Sequence, residues 1–311
     1  MIDISPKFST LRYAKAQGVL NAAPETIKKI VDRKVPKGDV LEVARAAGIN
    51  AAKNTANWIT FCHSMPIDWI EVGYDIRKDH IIFTAEVRAV WKTGVEMEAM
   101  TAVSAALLNA YDMCKPLDEN ISFTDLKLVE KTGGKSSFKD EFARPLKVAI
   151  LVISDSTFAG KREDKSGKTI REFLDGRRIK TALYEILPDD SKGITEKIID
   201  LADNQDFDLI FTTGGTGFGP KDVTPETILE ILDKTAPGIV EAIRKHGKER
   251  TPYAMLSREV AGIRGKTLIV TLPGSSKGAL ESMQALFPGL LHAFPMMWGG
   301  GHDDNKQWTK K

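Results

Sequence analysis

The spacing of apolar residues divides the chain into two halves with different periodicities. In the first half, apolar and polar residues alternate strictly along two neighbouring runs, so that Ile81, Phe83 and Ala85 fall on one side. This alternation predicts a β-hairpin with one buried face, with strands at 69–76 and 81–91. Helical patterns are predicted at 24–32, 40–54 and 94–115. Helices on one face of an antiparallel sheet indicate an α+β domain.

The second half opens with the six apolar residues 148–153, which are typical of a buried parallel strand. The predicted strands are 147–153, 181–187, 208–213 and 267–272. The predicted helices are 168–176, 192–203, 225–232, 237–247 and 276–286. Strands that alternate with helices indicate a three-layer α/β domain with a mostly parallel sheet. Ligands of such sheets bind where the strands end.

A polar stretch at 130–147 separates the halves, and we place the linker at 140–146. We expect domains at 1–142 and 147–311. Lys and Arg number 44 and Asp and Glu 42, and the two signs are balanced within each half. Because neither half is a basic block, the sequence does not indicate nucleic-acid binding.

Cysteine usage and hydropathy indicate a cytoplasmic protein. Cys62 and Cys114 are the two cysteines, too few for a disulfide framework or a four-cysteine zinc module. The chain has no apolar run of the length that a membrane helix needs, and its first residues lack a signal-peptide pattern. We therefore expect no membrane association.

A glycine-rich loop at 212–225 is the strongest chemical signal in the second half. Its closely spaced glycines let the main chain approach a ligand, and their N–H groups suit an anion. It is neither a Walker loop nor a dinucleotide fingerprint. Asp222 in this loop and Asp189 after the second strand are carboxylates at strand ends, which near a nucleotide triphosphate hold Mg²⁺. The alternatives are a tight turn for the loop and ordinary helix N-caps for the two acids.

These motifs resemble the MogA/MoaB proteins of molybdenum cofactor biosynthesis over 147–302. The resemblance implies adenylylation of molybdopterin by Mg-ATP with release of pyrophosphate. Asp222 and Asp189 would be catalytic and would hold the metal. The implied substrate-binding residues are Ser154, Asp155, Gly214, Gly215, Thr216, Gly217, Gly274, Ser275 and Lys277.

The first half has acids, lysines and a histidine that suit proton transfer around an anionic substrate. They lie at 37–40, 61–63, 92–99 and 111–115. Cys62 and His63 are adjacent and lack metal-ligand spacing, which leaves a structural pair, a substrate contact or, less favoured, a metal site open. Met97 is by default a core residue.

Residues 1–140 resemble MoaC, the cyclic pyranopterin monophosphate synthase. The motifs are 1–5, 37–40, 62–63, 92–99, 111–115 and 133–136. The resemblance implies conversion of 3′,8-cyclo-7,8-dihydro-GTP to the cyclic pyranopterin with loss of pyrophosphate. Asp112 would be the acid/base, with Lys115 and Lys37 as its catalytic partners. The implied substrate-binding residues are Phe61, Cys62, His63, Glu96, Met97, Glu98 and Lys135.

Together the resemblances predict a bifunctional enzyme that acts on pterin nucleotides. Mg²⁺ and ATP would serve the second half, and the first half would need no tightly bound metal. Glu98 and Asp112 lie 14 positions apart on one predicted helix, so we expect a homo-oligomer whose first-half active sites are shared between subunits. Contact with other enzymes of the pathway is a further expectation. The alternatives are a protein in which only the first half is catalytic and a pterin-binding scaffold.

Overall fold

The computed structural model describes residues 1–134, 137–138, 142 and 144–299. The chain separates into two compact units, Met1–Phe138 and Lys139–Lys311. The predicted domain bounds of 1–142 and 147–311 stay predictions. Each unit is described by itself.

The first unit is built on a four-stranded antiparallel sheet with the strand order β2-β3-β1-β4. Its strands are β1 (Thr10–Asn21), β2 (Trp69–Ile76), β3 (His80–Trp91) and β4 (Ser122–Thr132). Its helices are α1 (Pro24–Val31), α2 (Val40–Lys53), α3 (Thr55–Trp58) and α4 (Glu96–Cys114). The predicted α+β architecture is confirmed, as is the hairpin with its buried Ile81, Phe83 and Ala85.

Two strands of this sheet were absent from the sequence-based prediction. In β1 the buried face consists of Ala14, Ala16, Gly18 and Leu20, whose small side chains give little strand signal. They are small because α4 packs directly on them, and a Cβ added to Gly18 would lie 2.7 Å from Leu107 Cδ1. The other strand, β4, is an exposed edge strand without a buried face.

The second unit is a six-stranded sheet with the order β6-β5-β7-β10-β9-β8. Its strands are β5 (Val148–Ile153), β6 (Thr181–Leu187), β7 (Leu209–Thr213), β8 (Lys234–Thr235), β9 (Ala261–Arg264) and β10 (Thr267–Leu272). Strands β5, β6, β7 and β10 are parallel to one another, whereas β9 runs antiparallel to its neighbours β8 and β10. Apolar cores fill both faces of the sheet, so the predicted three-layer α/β architecture is confirmed.

The helices of this unit differ from the prediction at several places, and the last helix was not predicted. They are α5 (Asp155–Phe158), α6 (Ser166–Asp175), α7 (Ser191–Ile199), α8 (Thr224–Leu229), α9 (Pro237–Lys248), α10 (Ser276–Leu286) and α11 (Ala293–Met297). The loop predicted at 154–167 contains α5 and the start of α6. The helix predicted at 192–203 ends at Ile199 and continues as a π-helical turn, Asp200–Asn204. The short strands β8 and β9 were not predicted.

Helices α2 and α4 meet closely at Gly48, which generates a stability prediction. A Cβ at this position would lie 2.9 Å from Ala102 O, a main-chain atom that cannot turn away. We expect Gly48→Ala to lower the unfolding free energy of the first unit by about 1 kcal/mol, since overpacking outweighs the better helix propensity of alanine. Calorimetric unfolding measures the change.

Gly238→Ala is the matched control, because nothing lies within 4 Å of a Cβ in this first turn of α9. We expect this variant to be as stable as the parent chain or slightly more so. A Gly48→Ala protein at least as stable as the parent would contradict the close packing of α2 on α4.

Candidate functional site

The first unit holds one carboxylate between two ammonium groups at the end of α4. Asp112 Oδ2 accepts a hydrogen bond from Lys37 Nζ at 2.6 Å, and Oδ1 lies 2.9 Å from Lys115 Nζ. Lys37 Nζ also donates to Asp112 O at 2.9 Å. Lys37 comes from the loop before α2, where Gly38 has a positive φ of 107°. The structure therefore brings all three predicted catalytic residues of this half together.

This arrangement fixes the charge state of the cluster. The hydrogen bonds from Lys37 and Lys115 lower the pKa of Asp112 to about 2, and the bond to Asp112 raises the pKa of Lys115. All three side chains are about half exposed. Asp112 is thus ionised at neutral pH and can accept a proton, while the two lysines leave the cluster with a net positive charge that suits an anionic substrate.

A buried acid lies near the other end of α4. Glu98 is 2% exposed, and its Oε1 accepts a hydrogen bond from Cys62 Sγ at 3.5 Å. Its Oε2 has no hydrogen-bond partner within the described part of the chain. Burial raises the pKa of Glu98, and burial together with the charge of Glu98 raises the pKa of Cys62 to about 11. The thiol therefore stays protonated and is no nucleophile at neutral pH.

Among the other predicted residues of this half that the structure describes, His63 lines a small cavity with Glu98. His63 Nε2 lies 2.9 Å from Ile2 O, and Glu96 Oε1 lies 3.3 Å from Lys131 Nζ. The side chain of Phe61 is 75% exposed. Met97, expected by default in the core, is instead more than a third exposed. Lys135 lies outside the described residues.

The two groups of the first unit sit far apart along α4. Glu98 and Asp112 are separated by 14 helical positions, which at 1.5 Å per residue is ~21 Å. A pterin nucleotide is only about 10–15 Å long, and catalytic groups must lie within hydrogen-bond reach of the reacting atoms. Within one chain, the two groups therefore lie farther apart along α4 than the length of one pterin nucleotide.

The second unit holds a cavity of about 410 Å³ where its parallel strands end. Its walls come from the ends of β5, β6, β7 and β10 and from the loop before α6. The predicted site residues that line it are Ser154, Asp189, Gly214, Gly215, Asp222, Gly274 and Ser275. Asp155, Thr216, Gly217 and Lys277 are not among its lining residues. Most predicted residues of this half thus share one cavity.

Two glycines shape the floor of this cavity. Gly214 has a φ of +103°, and a Cβ on it would lie 2.2 Å from Ile153 O. Gly215 has a φ of +61°, and a Cβ there would lie 2.2 Å from Thr224 Oγ1. Side chains are excluded at both positions by conformation and by space. The loop does more than turn the chain, because it presses main-chain atoms against the end of β5.

Asp189 is fixed by Asp155. Asp155 N donates to Asp189 Oδ2 at 2.8 Å, and Asp189 N donates to Asp155 Oδ1 at 3.0 Å. Lys221 Nζ lies 2.6 Å from Asp155 Oδ2 and lowers the pKa of that carboxyl group. Asp155 therefore supports Asp189 from outside the cavity wall and ties it to the glycine-rich loop.

Neither carboxylate serves as a helix cap, which was the alternative reading of both. Helix α7 is capped by Asp190, whose side chain accepts from Gly193 N at 2.7 Å. Helix α8 has Val223 at its N-cap. Asp222 Oδ2 instead accepts a hydrogen bond from Gly219 N at 2.7 Å, within the glycine-rich loop. Both acids are thus available to a ligand in the cavity.

Sequence reasoning missed Tyr184, which binds the carboxylate of Asp164 in the cavity wall. The buried carboxylate of Asp164 accepts hydrogen bonds from Gly167 N at 3.0 Å, Lys168 N at 3.2 Å and Tyr184 OH. Burial and the bond to Asp164 raise the pKa of Tyr184. The lining residues outside the predicted site residues are Val152, Ile153, Thr157, Arg162, Glu163, Asp164, Lys165, Ser166, Thr213 and Ser276. A tyrosine inside a strand carries no sequence signal for such a role.

The cavity suits a cation that arrives with phosphates. Within residues 1–134, 137–138, 142 and 144–299, no group of three or more His, Cys, Asp or Glu side chains could hold a metal ion. Mg²⁺ commonly takes one or two carboxylates and completes its shell with phosphate oxygens and water. Asp189 and Asp222, beside main-chain N–H groups of a glycine loop, fit that donor set.

Among the residues that the structure describes, no helix has the length and apolar character needed to span a membrane.

Comparisons with known proteins agree with this architecture. The MoaC family matches residues 1–134, and the probable molybdopterin binding domain matches 149–292. A molybdenum cofactor biosynthesis bifunctional protein of Chlorobaculum tepidum is 40% identical over 97% of this chain and 96% of its own. A cyclic pyranopterin monophosphate synthase of Clostridium perfringens is 49% identical over 44% of this chain and 87% of its own.

Among solved structures, the molybdopterin biosynthesis enzyme MoaB of Thermus thermophilus is 47% identical over 50% of this chain and 97% of its own, with a TM-score of 0.48. The two matched domains define a two-domain protein of pterin cofactor synthesis. The chain belongs to the family of bifunctional molybdenum cofactor biosynthesis proteins, in which a MoaC domain precedes a MogA/MoaB-like domain.

The hydrogen bond between Cys62 and the buried Glu98 generates a prediction about thiol reactivity. With a pKa of about 11 for Cys62, about one thiol in a thousand is ionised at pH 8. We expect its alkylation by iodoacetamide to be slow and to accelerate about tenfold per pH unit up to pH 10. Glu98→Gln removes a nearby negative charge, so it should lower the pKa of Cys62 and speed alkylation at pH 8. Mass spectrometry of the Cys62 peptide measures the rate.

Cys114 is the control within the same chain. Its pKa is also raised to about 11, but by burial and by Asp118, so Glu98→Gln should leave its rate unchanged. A rate for Cys62 that levels off near pH 8 in the parent chain would refute the raised pKa.

Proposed function

We propose that each unit catalyses its own pyrophosphate-releasing step of molybdenum cofactor biosynthesis. The first would convert 3′,8-cyclo-7,8-dihydro-GTP to cyclic pyranopterin monophosphate, and the second would adenylylate molybdopterin with Mg-ATP. The observation that carries the proposal is that each unit has a charged site of its own at the positions that the family resemblance implies. Both sites suit phosphate-bearing substrates.

In the first unit, Asp112 is the group that moves a proton. Its low pKa keeps it ionised at neutral pH, so it would act as a proton acceptor, but as a weaker base than a free aspartate. Lys37 and Lys115 hold phosphate oxygens and stabilise the negative charge that develops as pyrophosphate leaves. The residues assigned to the pterin nucleotide are Phe61, Cys62, His63, Glu96, Met97, Glu98 and Lys135.

In the second unit, an oxygen of molybdopterin attacks the α-phosphorus of ATP, and the bond from that phosphorus to the bridging oxygen breaks. AMP is thereby transferred and pyrophosphate leaves. Main-chain N–H groups around Gly214 and Gly215 would receive anionic oxygens. Asp189 and Asp222 would hold Mg²⁺, which offsets the charge of the phosphates when it is bound. Further contacts are assigned to Ser154, Asp155, Thr216, Gly217, Gly274, Ser275 and Lys277.

A pure scaffold is the competing function. Such a protein would keep the pterin-binding folds to assemble other enzymes, and a variant of this idea keeps only the first activity. The two lysines clustered on Asp112 and the two carboxylates facing one cavity favour catalysis, because a scaffold needs neither. Pyrophosphate release from the purified chain, tested with each substrate in turn, separates these functions.

Loss of one activity without the other is the expected result of Asp222→Asn. We expect AMP transfer to fall roughly 100-fold or more, because the variant removes a charge at the phosphate site, while pyranopterin synthesis stays intact. The amide keeps the size of the carboxylate, so the loop should keep its shape. Pyrophosphate release with each substrate measures both rates, and Asp112→Asn should show the mirror-image pattern. Equal loss of both activities in a folded Asp222→Asn protein would refute two independent sites.

The ~21 Å between Glu98 and Asp112 supports a first-unit site made by two subunits. A second copy packed antiparallel about a two-fold axis would place the Glu98 end of one α4 beside the Asp112 end of the other. In the alternative reading, Glu98 is an acid of the first helical turn that never touches substrate.

Subunit mixing distinguishes these two readings. We expect Glu98→Ala and Asp112→Ala proteins each to be inactive in pyranopterin synthesis. Mixed under conditions of subunit exchange, they should recover part of the activity, since some interfaces then carry one complete site. Exchange is verified by native mass spectrometry of isotopically labelled chains. An inactive mixture in which exchange has been demonstrated would overturn the shared site.

A further inference from the structure

We propose that Arg258 is a positioning residue that sets the shape of the glycine-rich loop and thereby the place of Asp222. The expected effect of Arg258 on catalysis rests on the adenylyl transfer proposed above, whereas its effect on the shape of the loop does not. Arg258 lies in the segment between α9 and β9, outside every motif that the sequence singled out.

The guanidinium group of Arg258 binds the segment 217–222 of the glycine-rich loop at both of its ends. Arg258 Nε donates to Gly217 O at 2.7 Å, and Nη2 donates to Asp222 O at 2.6 Å. Nη1 pairs with the carboxylate of Glu226 in the first turn of α8. The main-chain N–H of Arg258 adds a bond to Thr216 O at 3.2 Å. Every nitrogen of the guanidinium fork is therefore engaged, on three acceptors that no lysine could reach at once.

The segment 217–222 has few other anchors. Its internal bonds join Asp222 to Gly219, so they shape the turn without fixing it to the domain. From elsewhere in the described part of the chain, the other side chain that holds it is Asp155, through an ion pair with Lys221. Lys221 is 78% exposed, and such exposed pairs contribute little. Arg258, only 28% exposed, is the stronger support.

The position of Arg258 affects the cavity through Asp222. Asp222 lines the cavity, and its main-chain carbonyl oxygen accepts a hydrogen bond from Arg258. Loss of the guanidinium would leave a glycine-rich turn free to move, and the carboxylate would move with it. Outer partners of ligand-holding residues are typically worth 10- to 100-fold in activity. A displacement of about 1 Å can cost a similar factor.

The chain supplies a matched control six positions later. Arg264 also uses its whole fork: Nε and Nη2 bind the two oxygens of Asp203, at 3.0 and 2.6 Å, and Nη1 donates to Ile231 O at 3.0 Å. It is equally shielded and belongs to the same unit, but it touches neither the cavity nor the glycine-rich loop. Its removal should cost stability alone.

The experiment compares Arg258→Ala, Arg258→Lys and Arg264→Ala in the full chain. We expect Arg258→Ala to lower kcat for AMP transfer roughly 10- to 100-fold with a much smaller change in KM for ATP. Arg258→Lys should stay impaired, because an ammonium group cannot replace the fork. Millimolar guanidinium should restore part of the kcat of Arg258→Ala. Arg264→Ala should keep kcat within about twofold. Equal losses in kcat for the two alanine variants would overturn the proposal.

Amide hydrogen exchange separates this proposal from the proposed reaction. In Arg258→Ala, peptides covering 214–223 should exchange faster than in the parent chain, and guanidinium should slow them again. In Arg264→Ala those peptides should exchange at the parent rate. If the parent chain transfers no AMP, the adenylyl transferase function fails, and exchange alone then decides the role of Arg258. Unchanged exchange at 214–223 in Arg258→Ala would refute it.

Discussion

The second unit depends on a close approach of main-chain atoms at the ends of three parallel strands. Gly214 follows β7 and lies against Ile153 O at the end of β5. Gly274 follows β10 and packs on Gly214, with its Cβ position 3.2 Å from Gly214 Cα. Because no side chain fits between these backbones, the loops converge at one edge of the sheet. Asp189 and Asp222 share a cavity for this reason, although 33 positions separate them in the sequence.

Much of this unit could be predicted because its central strands β5, β7 and β10 are buried on both faces. Such strands form nearly continuous apolar runs, and β10 has the predicted bounds. The glycine-rich loop and the strand-end acids then follow from the rule that ligands bind where parallel strands end. In the first unit, the i, i+3 spacing of Asp112 and Lys115 puts both groups on one side of a helix end, whereas the role of Lys37 beside them was predicted from the family resemblance alone, and the structure brings Lys37 to the same carboxylate.

The remainder could not be predicted, for physical reasons that differ from place to place. Three of the four residues on the buried face of β1 are alanine or glycine because α4 packs directly on it, so the usual β-branched signal is missing. An edge strand such as β4 buries no face and shows no alternation. Arg258 reaches its acceptor on Gly217 across 41 positions, and nothing in the spacing of single residues encodes a contact of that kind.

The irregular pairing of β4 with β1 affects how readily another strand can add to this edge of the sheet. The register shifts at two places, between Lys15 and Ala16 and between Gln17 and Val19, and Asp125 takes a positive φ of 52°. A foreign strand would have to copy both irregularities to hydrogen-bond along this edge, and it would meet the exposed charges of Lys127 and Lys131. Both features disfavour the strand-by-strand growth at this edge that produces fibrils.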